Sequence, residues 1–348
     1  MTDPAHRPPL AIVRDGLHRV ARAPLILIGV WAVTALTALP GAAALYAAIA
    51  ADLDSSMAAA NAAAGVNTWW WQEFLARQPA FAESFQPVII GFAAVLANAN
   101  AFLAAAPPGP SFAVTAAVYV LLWLFLLGGI LDRYARQRRV GTHGFFAASG
   151  VFFFRFLRLA VIAALVWTSV FGLLHGWLLR DLHGWLTRET TVERTAFVLY
   201  VVLTFVFVTI VAALMVIFDY AKVRAVVEDR RSMVGALVAG TRFVRRNTGG
   251  VAGVFLLNAL LFGLVLAAYG LVARGAAGGS AVAVAAGFLV AQAYIAARLF
   301  VKLSFYASAV ALFQDRLAHA KYTAAPPAVW PDSPAIETIS DVRPDNPQ

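Results

Sequence analysis

The sequence of 348 residues contains no cysteine, and only 13% of its residues are charged. The missing thiols exclude disulfides, thiolate catalysis and cysteine metal sites. Soluble domains carry a charge on about a quarter of their residues, so this chain has too few charged groups to cover a soluble surface. With 61% hydrophobic residues, it has more apolar surface than a soluble core can bury, and lipid is its natural solvent.

Common enzyme signatures are also missing. The chain has no Walker A run, no His-Glu-x-x-His and no Gly-x-Ser-x-Gly, so we expect no cofactor and no catalytic residues. His175 and His183 stand near Asp181 and Glu189, but their spacing is not typical of two metal ligands on one helix. We therefore expect no metal site.

Six apolar runs are long enough to cross a bilayer, which takes about 20 helical residues. The runs are continuously apolar and lack the alternation of an outer-membrane barrel. The first contains Pro40-Gly41, which predicts a kink, and it is longer than the apolar core of a cleaved signal peptide. The predicted fold is an all-α integral membrane protein whose six transmembrane helices form three hairpins. The spans are predicted at Pro24–Ala51, Ala113–Leu131, Leu159–Leu179, Ala196–Phe218, Val251–Val272 and Ala281–Phe305.

The distribution of basic residues predicts the orientation. Of the 27 Lys and Arg residues, 22 fall on the side that holds both termini and 5 on the other. Cytoplasmic loops are enriched in Lys and Arg, so we expect both termini in the cytoplasm of a bacterial cell, with the chain in its inner membrane. The net charge of +9 is explained by this uneven distribution of basic residues across the membrane. It therefore does not indicate a nucleic-acid partner. Tryptophans mark the predicted outer boundary at Trp69, Trp70, Trp71, Trp177 and Trp185.

Two segments lie outside the predicted spans. Residues 52–112 form an outer insert, whose apolar stretch 87–106 carries Asn98 and Asn100. Counting that stretch as a seventh span would reverse every later loop, so we interpret it as a helix on or in the outer leaflet. A single transmembrane domain would then cover 1–320, and the Pro-rich polar tail 321–348 is predicted to be disordered and cytoplasmic.

An internal repeat is indicated at both ends of the predicted hairpins. An Arg-x-x-Arg motif precedes spans one, three and five, and the even spans end in related sequences. We predict three units, each with a cytoplasmic amphipathic surface helix followed by a hairpin, although any basic-flanked hairpin produces a similar pattern. The surface helices are predicted at Ala11–Val20, Gly144–Phe156 and Ser232–Val244, with Thr142 and Ser232 as caps of the last two. The related ends are Asp132-Arg133-Tyr134-Ala135, Asp219-Tyr220-Ala221-Lys222 and Phe305-Tyr306-Ala307-Ser308.

Two of these stretches carry a resemblance to known proteins. The run from Phe218 to Ser232, FDYAKVRAVVEDRRS, and the run FFFRFLRL from Phe152 resemble a signature of bacterial multi-pass membrane proteins of unknown function. That resemblance covers most of the chain and implies no active site. More remotely, the layout of surface helices and hairpins is similar to the membrane domain of some glycerophosphodiester phosphodiesterases.

The Arg-x-x-Arg motifs place two guanidinium groups on one helix face at the predicted headgroup level. Arginine forks bind phosphate oxygens in a bidentate manner, so Arg155, Arg158, Arg242 and Arg245 are candidates for binding anions or lipid headgroups. The alternative is that these arginines only anchor the chain by the positive-inside rule.

Arg298 and Lys302 form the least ordinary feature of the sequence. They are spaced i, i+4 on span six, and Arg298 lies about two turns inside it. A charge inside a membrane normally has a partner or faces a wet cavity. Asp219 is the expected counterion and Asp132 the second choice. Alternatively, span six ends near Ala297 and both side chains snorkel to the interface.

These observations predict a non-enzymatic membrane protein that engages lipid or moves an anionic or amphiphilic solute. A membrane-embedded enzyme acting on lipid and a scaffold for another membrane protein are the alternatives. The expected partners are membrane lipids, with a second membrane protein or another copy of the chain also possible.

Overall fold

A computed structural model describes residues 7–54, 56–64, 67–77, 100, 103–105, 110–138, 141–273 and 280–317. Every regular element in these segments is helical. The helices are α1 (Pro9–Ala21), α2 (Pro24–Leu53), α3 (Ala58–Ala64), α4 (Thr68–Arg77), α5 (Pro110–Arg136), α6 (Thr142–Ser169), α7 (His183–Leu186), α8 (Glu193–Val227), α9 (Met233–Arg246), α10 (Thr248–Val272) and α11 (Ala281–Arg316). Most of the predicted outer stretch 87–106 and the whole tail 321–348 lie outside the described residues.

The structure supports a multi-pass helical, membrane-like architecture. Six helices are long and apolar enough to cross a membrane, and each contains one predicted span. The even-numbered spans continue as helix beyond their predicted ends, to Arg136, Val227 and Arg316. Hydropathy marks where a helix leaves the lipid, whereas Arg, Lys and Ala beyond that point are good helix formers. The apolar run therefore ends before the helix does.

The third span differs from its prediction. We expected a surface helix over Gly144–Phe156 followed by a separate span, but Thr142–Leu186 is one rod of 45 residues. The rod passes from α6 through two π-helical segments, Val170–Leu174 and Trp177–Leu182, into α7. Neither Gly nor Pro separates Phe156 from Leu159, so nothing in the sequence interrupts the helix at the membrane boundary.

The predicted caps have different outcomes. The Ser232 side chain accepts a hydrogen bond from the backbone N–H of Gly235, which confirms it as the N-cap of α9. Thr142 is the first helical residue of α6, and the N-cap is Gly141, whose position carries no side-chain cap. The prediction for Thr142 was therefore wrong by one residue.

The main core lies at one end of the bundle, which we call the basic end. There α1, the first half of α6 and α9 pack against the C-terminal halves of α11, α5 and α8, respectively. Small residues allow these close approaches. A Cβ at Gly16 would lie 2.8 Å from the Ser308 backbone nitrogen, one at Gly128 would lie 2.9 Å from Phe152, and one at Gly240 would lie 3.1 Å from Ala221. Because α1 packs on α11, both ends of the described chain lie at the basic end.

The opposite end of the bundle is less tightly packed. A second apolar cluster there joins the π-helical part of the third span to α8 and includes Leu178, Leu203 and Phe207. In contrast, α2 buries only Val30 of its 30 residues. Apolar side chains such as Leu39 and Tyr46 are exposed along its second half, as expected for a helix that faces lipid.

Contacts between α10 and α11 show which parts of the two helices lie side by side. Ser304 donates a hydrogen bond of 2.9 Å to the side-chain oxygen of the buried Asn258. Ring contacts pair Phe255 with Phe305 at 5.7 Å and Tyr269 with Tyr294 at 4.0 Å. The part of α11 between Tyr294 and Phe305 is therefore level with the middle of the apolar helix α10.

Candidate functional site

A cavity of about 640 Å³ lies between five of the spanning helices. Most of its lining is aliphatic or aromatic, and its charged and hydroxyl groups come from α5, α8 and α11. Such a mostly apolar cavity with a few polar groups is the usual form of a small-molecule site. The apolar lining includes Leu127, Phe156, Ala163, Trp167, Met215, Phe255 and Phe262, and the polar lining is Tyr119, Asp219, Lys222, Arg298, Lys302 and Tyr306.

Arg298 and Lys302 both line this cavity. They lie on α11 between the two ring contacts with α10 described above, so they are level with an apolar part of the neighbouring span. Arg298 is nevertheless exposed, which indicates that the cavity opens where this side chain lies. The described helix continues to Arg316, so Arg298 is not at its end.

Lys302 is held by aromatic rings. Its Nζ lies 3.5 Å from the ring centroid of Trp123 and 5.9 Å from that of Tyr119, both on α5. These are cation–π contacts, which attract an ammonium to the negative face of a ring. Within the described residues, neither Arg298 nor Lys302 forms an ion pair with a carboxylate. Two positive charges thus lie in one cavity without an ion pair to a carboxylate of the described chain, and the one acid that lines the cavity, Asp219, is paired with Lys222.

The counterion expected from the sequence has a different partner. Asp219 lines the same cavity, but its carboxylate accepts a hydrogen bond of 2.6 Å from Nζ of Lys222, one helical turn away on α8. Lys222 also lies 5.5 Å from the ring of Tyr306. The prediction that Asp219 pairs with Arg298 does not hold in the structure, because a local i, i+3 partner reaches the carboxylate first.

Asp132, the second expected counterion, is also engaged locally. It is buried near the end of α5 and accepts a hydrogen bond of 2.6 Å from Nε of Arg136. It is not among the residues that line the cavity. Both aspartates thus pair with a cation three or four residues away on the same helix, and neither pairs with a cation on another described helix.

The Arg-x-x-Arg residues do not meet in one place. Arg155 pairs with Asp229 and lies 5.0 Å from the ring of Phe152. Arg158, Arg242 and Arg245 are exposed. Their side chains are available to an external anion, while the charge of Arg155 is already compensated.

The first Arg-x-x-Arg motif contributes a structural residue. Arg19 is 6% exposed, and its Nη1 donates to the backbone oxygen of Tyr134 at 2.9 Å and to Oε1 of Gln314 at 2.8 Å. Its Nη2 donates to Asp15 at 3.0 Å. Gln314 in turn donates to the backbone oxygen of Ala135. This network joins α1 to α5 and α11, so Arg19 stabilises the basic end rather than facing a ligand.

Asp15 belongs to the same network. Burial by itself raises the pKa of this carboxyl, but hydrogen bonds and attraction from Arg19 and Arg7 reverse the effect. The pKa of Asp15 therefore lies below its ordinary value of 3.8. Arg7 also pairs with Asp315 at 2.9 Å, so acidic groups at the basic end hold the N-terminal segment against α11.

Sequence reasoning missed Lys222, which lines the cavity, and Trp123, whose ring contacts Lys302. Trp123 and Lys222 were not singled out, since an aromatic residue in a span and a basic residue after a span are both common. The only signal was Lys222 standing three residues after Asp219. The histidines make backbone contacts, His175 with the Leu103 oxygen and His183 with the Ala196 oxygen. In the described segments no three His or acidic side chains converge as a metal site would require.

Comparison of the chain with protein-family models, with curated proteins and with solved structures gives no match. The resemblance of the run from Phe218 to Ser232 to a family signature therefore remains an expectation, and the site must be interpreted from its own geometry.

Proposed function

We propose that this chain is a non-enzymatic membrane protein that binds an amphiphile with an acidic head in the cavity between its helices. The observation that carries the proposal is the pair Arg298 and Lys302, two cations without a carboxylate partner in the described residues, at one part of a mostly apolar cavity. A charge at the centre of a membrane helix costs about 2.5–3.5 kcal/mol on insertion scales. An anionic head would compensate these charges, and the apolar lining would hold its hydrocarbon part.

A triplicated fold supports this interpretation, and we propose it as the finer architecture. Buried Tyr-Ala pairs begin at Tyr134, Tyr220 and Tyr306, each 86 residues after the previous one. The three hairpins would each be preceded by an amphipathic helix, and for the second unit that helix would be the first part of α6. Packing of α1 on α11 would close the three units into a ring.

The same interval of 86 residues identifies the positions in the first two units that correspond to Arg298 and Lys302. Counted back by 86 residues, Lys302 corresponds to Val216 and Ile130, and Arg298 corresponds to Ala212 and Leu126. Those positions are apolar in the first two units. The fold therefore tolerates apolar side chains there, and the cations of the third unit require another reason, which is ligand binding.

For the orientation, we propose that the basic end faces the cytoplasm of a bacterial inner membrane. The positive-inside rule supports this, because 22 of the 27 basic residues belong to that side. The exposed Arg158, Arg242 and Arg245 would then meet anionic headgroups, each gaining about 1 kcal/mol near a charged surface.

The test is lipid binding by the full chain purified in a non-ionic detergent. Native mass spectrometry with phosphatidylglycerol and phosphatidylcholine of identical acyl chains should give preferential binding of phosphatidylglycerol. The double variant Arg298→Gln and Lys302→Gln should lose that preference. The matched control, Arg188→Gln and Arg194→Gln, removes two exposed arginines elsewhere and should retain it. Equal binding of both lipids by the unmodified chain would contradict the proposal.

A further inference from the structure

The cavity holds two uncompensated positive charges, and their number limits the head that fits. Lys222 is neutralised by Asp219 at 2.6 Å, so it adds no net charge. Arg298 and Lys302 remain, with no ion pair in the part of the chain that the structure describes. From this count we infer that the cavity selects a membrane lipid whose head is a phosphate monoester, a dianion, over lipids with a phosphodiester head. The inference rests on the proposed function and names its ligand class.

Charge compensation favours a head with two negative charges. In surroundings of low dielectric constant, an ion left without a partner is penalised strongly. A phosphodiester carries one negative charge and would leave one of the two cations uncompensated. A phosphate monoester has a second pKa of about 6 and carries between 1.5 and 2 negative charges near pH 7. Only the monoester neutralises both Arg298 and Lys302.

The donor geometry favours a head with three terminal oxygens. The guanidinium of Arg298 presents a planar fork that takes two phosphate oxygens, whereas the ammonium of Lys302 is a compact point charge with three donors. A monoester offers three terminal oxygens and a diester only two. The Nζ of Lys302 lies 3.5 Å from the centroid of the Trp123 ring. This contact with the face of the ring holds the ammonium in the cavity. Arg298 and Lys302 can then bind different oxygens of the same head.

The source of the ligand follows from the position of the opening. Arg298 is exposed on a helix segment that lies level with the apolar middle of α10, between the Tyr294 and Phe305 contacts. A molecule entering there comes from the bilayer. The rest of the lining, including Phe156, Trp167 and Phe262, suits hydrocarbon and offers nothing to a free phosphate ion. The occupant is therefore a lipid that carries the phosphate monoester.

The experiment compares phosphatidic acid with phosphatidylglycerol of identical acyl chains, titrated at pH 7.4 into the detergent-solubilised full chain. Because it offers one more terminal oxygen and more negative charge to the two cations, phosphatidic acid should bind at least about tenfold more tightly. In Lys302→Gln, the affinity for phosphatidic acid should fall to the affinity for phosphatidylglycerol. Lys302→Arg keeps the charge and should preserve most of the preference. The thermal midpoint of each variant checks that it is folded.

Each outcome has a distinct meaning. Equal affinity for the two acidic lipids, both above phosphatidylcholine, would overturn the monoester inference while the proposed function stands. No preference for either acidic lipid over phosphatidylcholine would overturn both. Inorganic phosphate competing as effectively as phosphatidic acid would show that the hydrocarbon part contributes nothing and would overturn the assignment to a lipid.

Discussion

Arg19 and Arg298 lie in opposite kinds of surroundings within the same bundle. Arg19 is buried at the basic end and donates to the Tyr134 backbone, Gln314 and Asp15. Arg298 lines the cavity, and none of the described residues accepts a hydrogen bond from it. The comparison separates two roles for a charge away from bulk water. An arginine whose donors are satisfied by the chain stabilises the fold, whereas one left with free donors beside a cavity is available to a ligand.

The largest expected effect comes from breaking the satisfied arginine. Arg19→Met leaves the buried acceptors on Tyr134 and Gln314 without their donor and Asp15 with Arg7 alone, and each buried group left unsatisfied costs about 1–3 kcal/mol. The melting temperature of the detergent-solubilised chain should fall sharply. Arg22→Met, which removes an exposed arginine from the same motif, should change stability by no more than about 0.5 kcal/mol. A similar loss in both variants would mean that Arg19 has no special role.

A smaller effect is expected where α1 meets α11. A Cβ at Gly16 would lie 2.8 Å from the backbone nitrogen of Ser308, so Gly16→Ala forces the helices apart. Overpacking of this kind costs about 1–3 kcal/mol. A Cβ at Gly150 in α6 would meet no atom within 4 Å, and Gly150→Ala should be neutral or slightly stabilising, since Ala favours helix. The melting temperature should therefore fall for Gly16→Ala and stay the same or rise for Gly150→Ala, and an equal fall in both would refute the close contact.

Acidic pH should weaken the basic end by a smaller amount. Since the pKa of Asp15 lies below 3.8 in the folded chain, its carboxylate stabilises the fold above that pH. This contribution is lost as the pH falls through the lower, folded-state pKa. Asp15→Asn should reduce stability at pH 7, by about 1 kcal/mol or less for a partly exposed pair. It should also flatten the dependence of melting temperature on pH below 4. An unchanged slope would exclude Asp15 as a contributor.

The smallest effect on stability is expected at the cavity. Arg298→Gln removes no hydrogen bond or ion pair within the described chain and relieves an uncompensated charge, so the free energy of unfolding should be unchanged or slightly higher. Binding of acidic lipid should nevertheless fall by about tenfold or more. Lipid titration and thermal unfolding of the same preparation would measure both quantities. A large loss of stability with unchanged lipid binding would mean that Arg298, like Arg19, stabilises the fold and does not bind the ligand.

Some of these features were predictable because they depend on neighbours in the sequence. Six helices followed from six apolar runs, and Arg298 and Lys302 fell on one face because helix geometry places i and i+4 together. The cap of α9 was predicted from Ser232 alone. These properties require only the local chain, and lipid leaves a buried backbone little choice but helix.

The sequence by itself thus determined the number of spans, the placement of charge at one end and the presence of two cations inside the sixth helix. Tertiary structure decided that Arg19 is buried against Gln314, that α6 runs on without a break, and that a cavity lined by Phe156 opens around Arg298. The reason is that burial of a side chain depends on helix packing between residues that are a hundred or more positions apart in the sequence. Asp219 pairs with Lys222 one turn away on the same helix, which local spacing favours. Arg19 instead reaches Gln314 on another helix, and only the packing of α1 on α11 brings these two residues together.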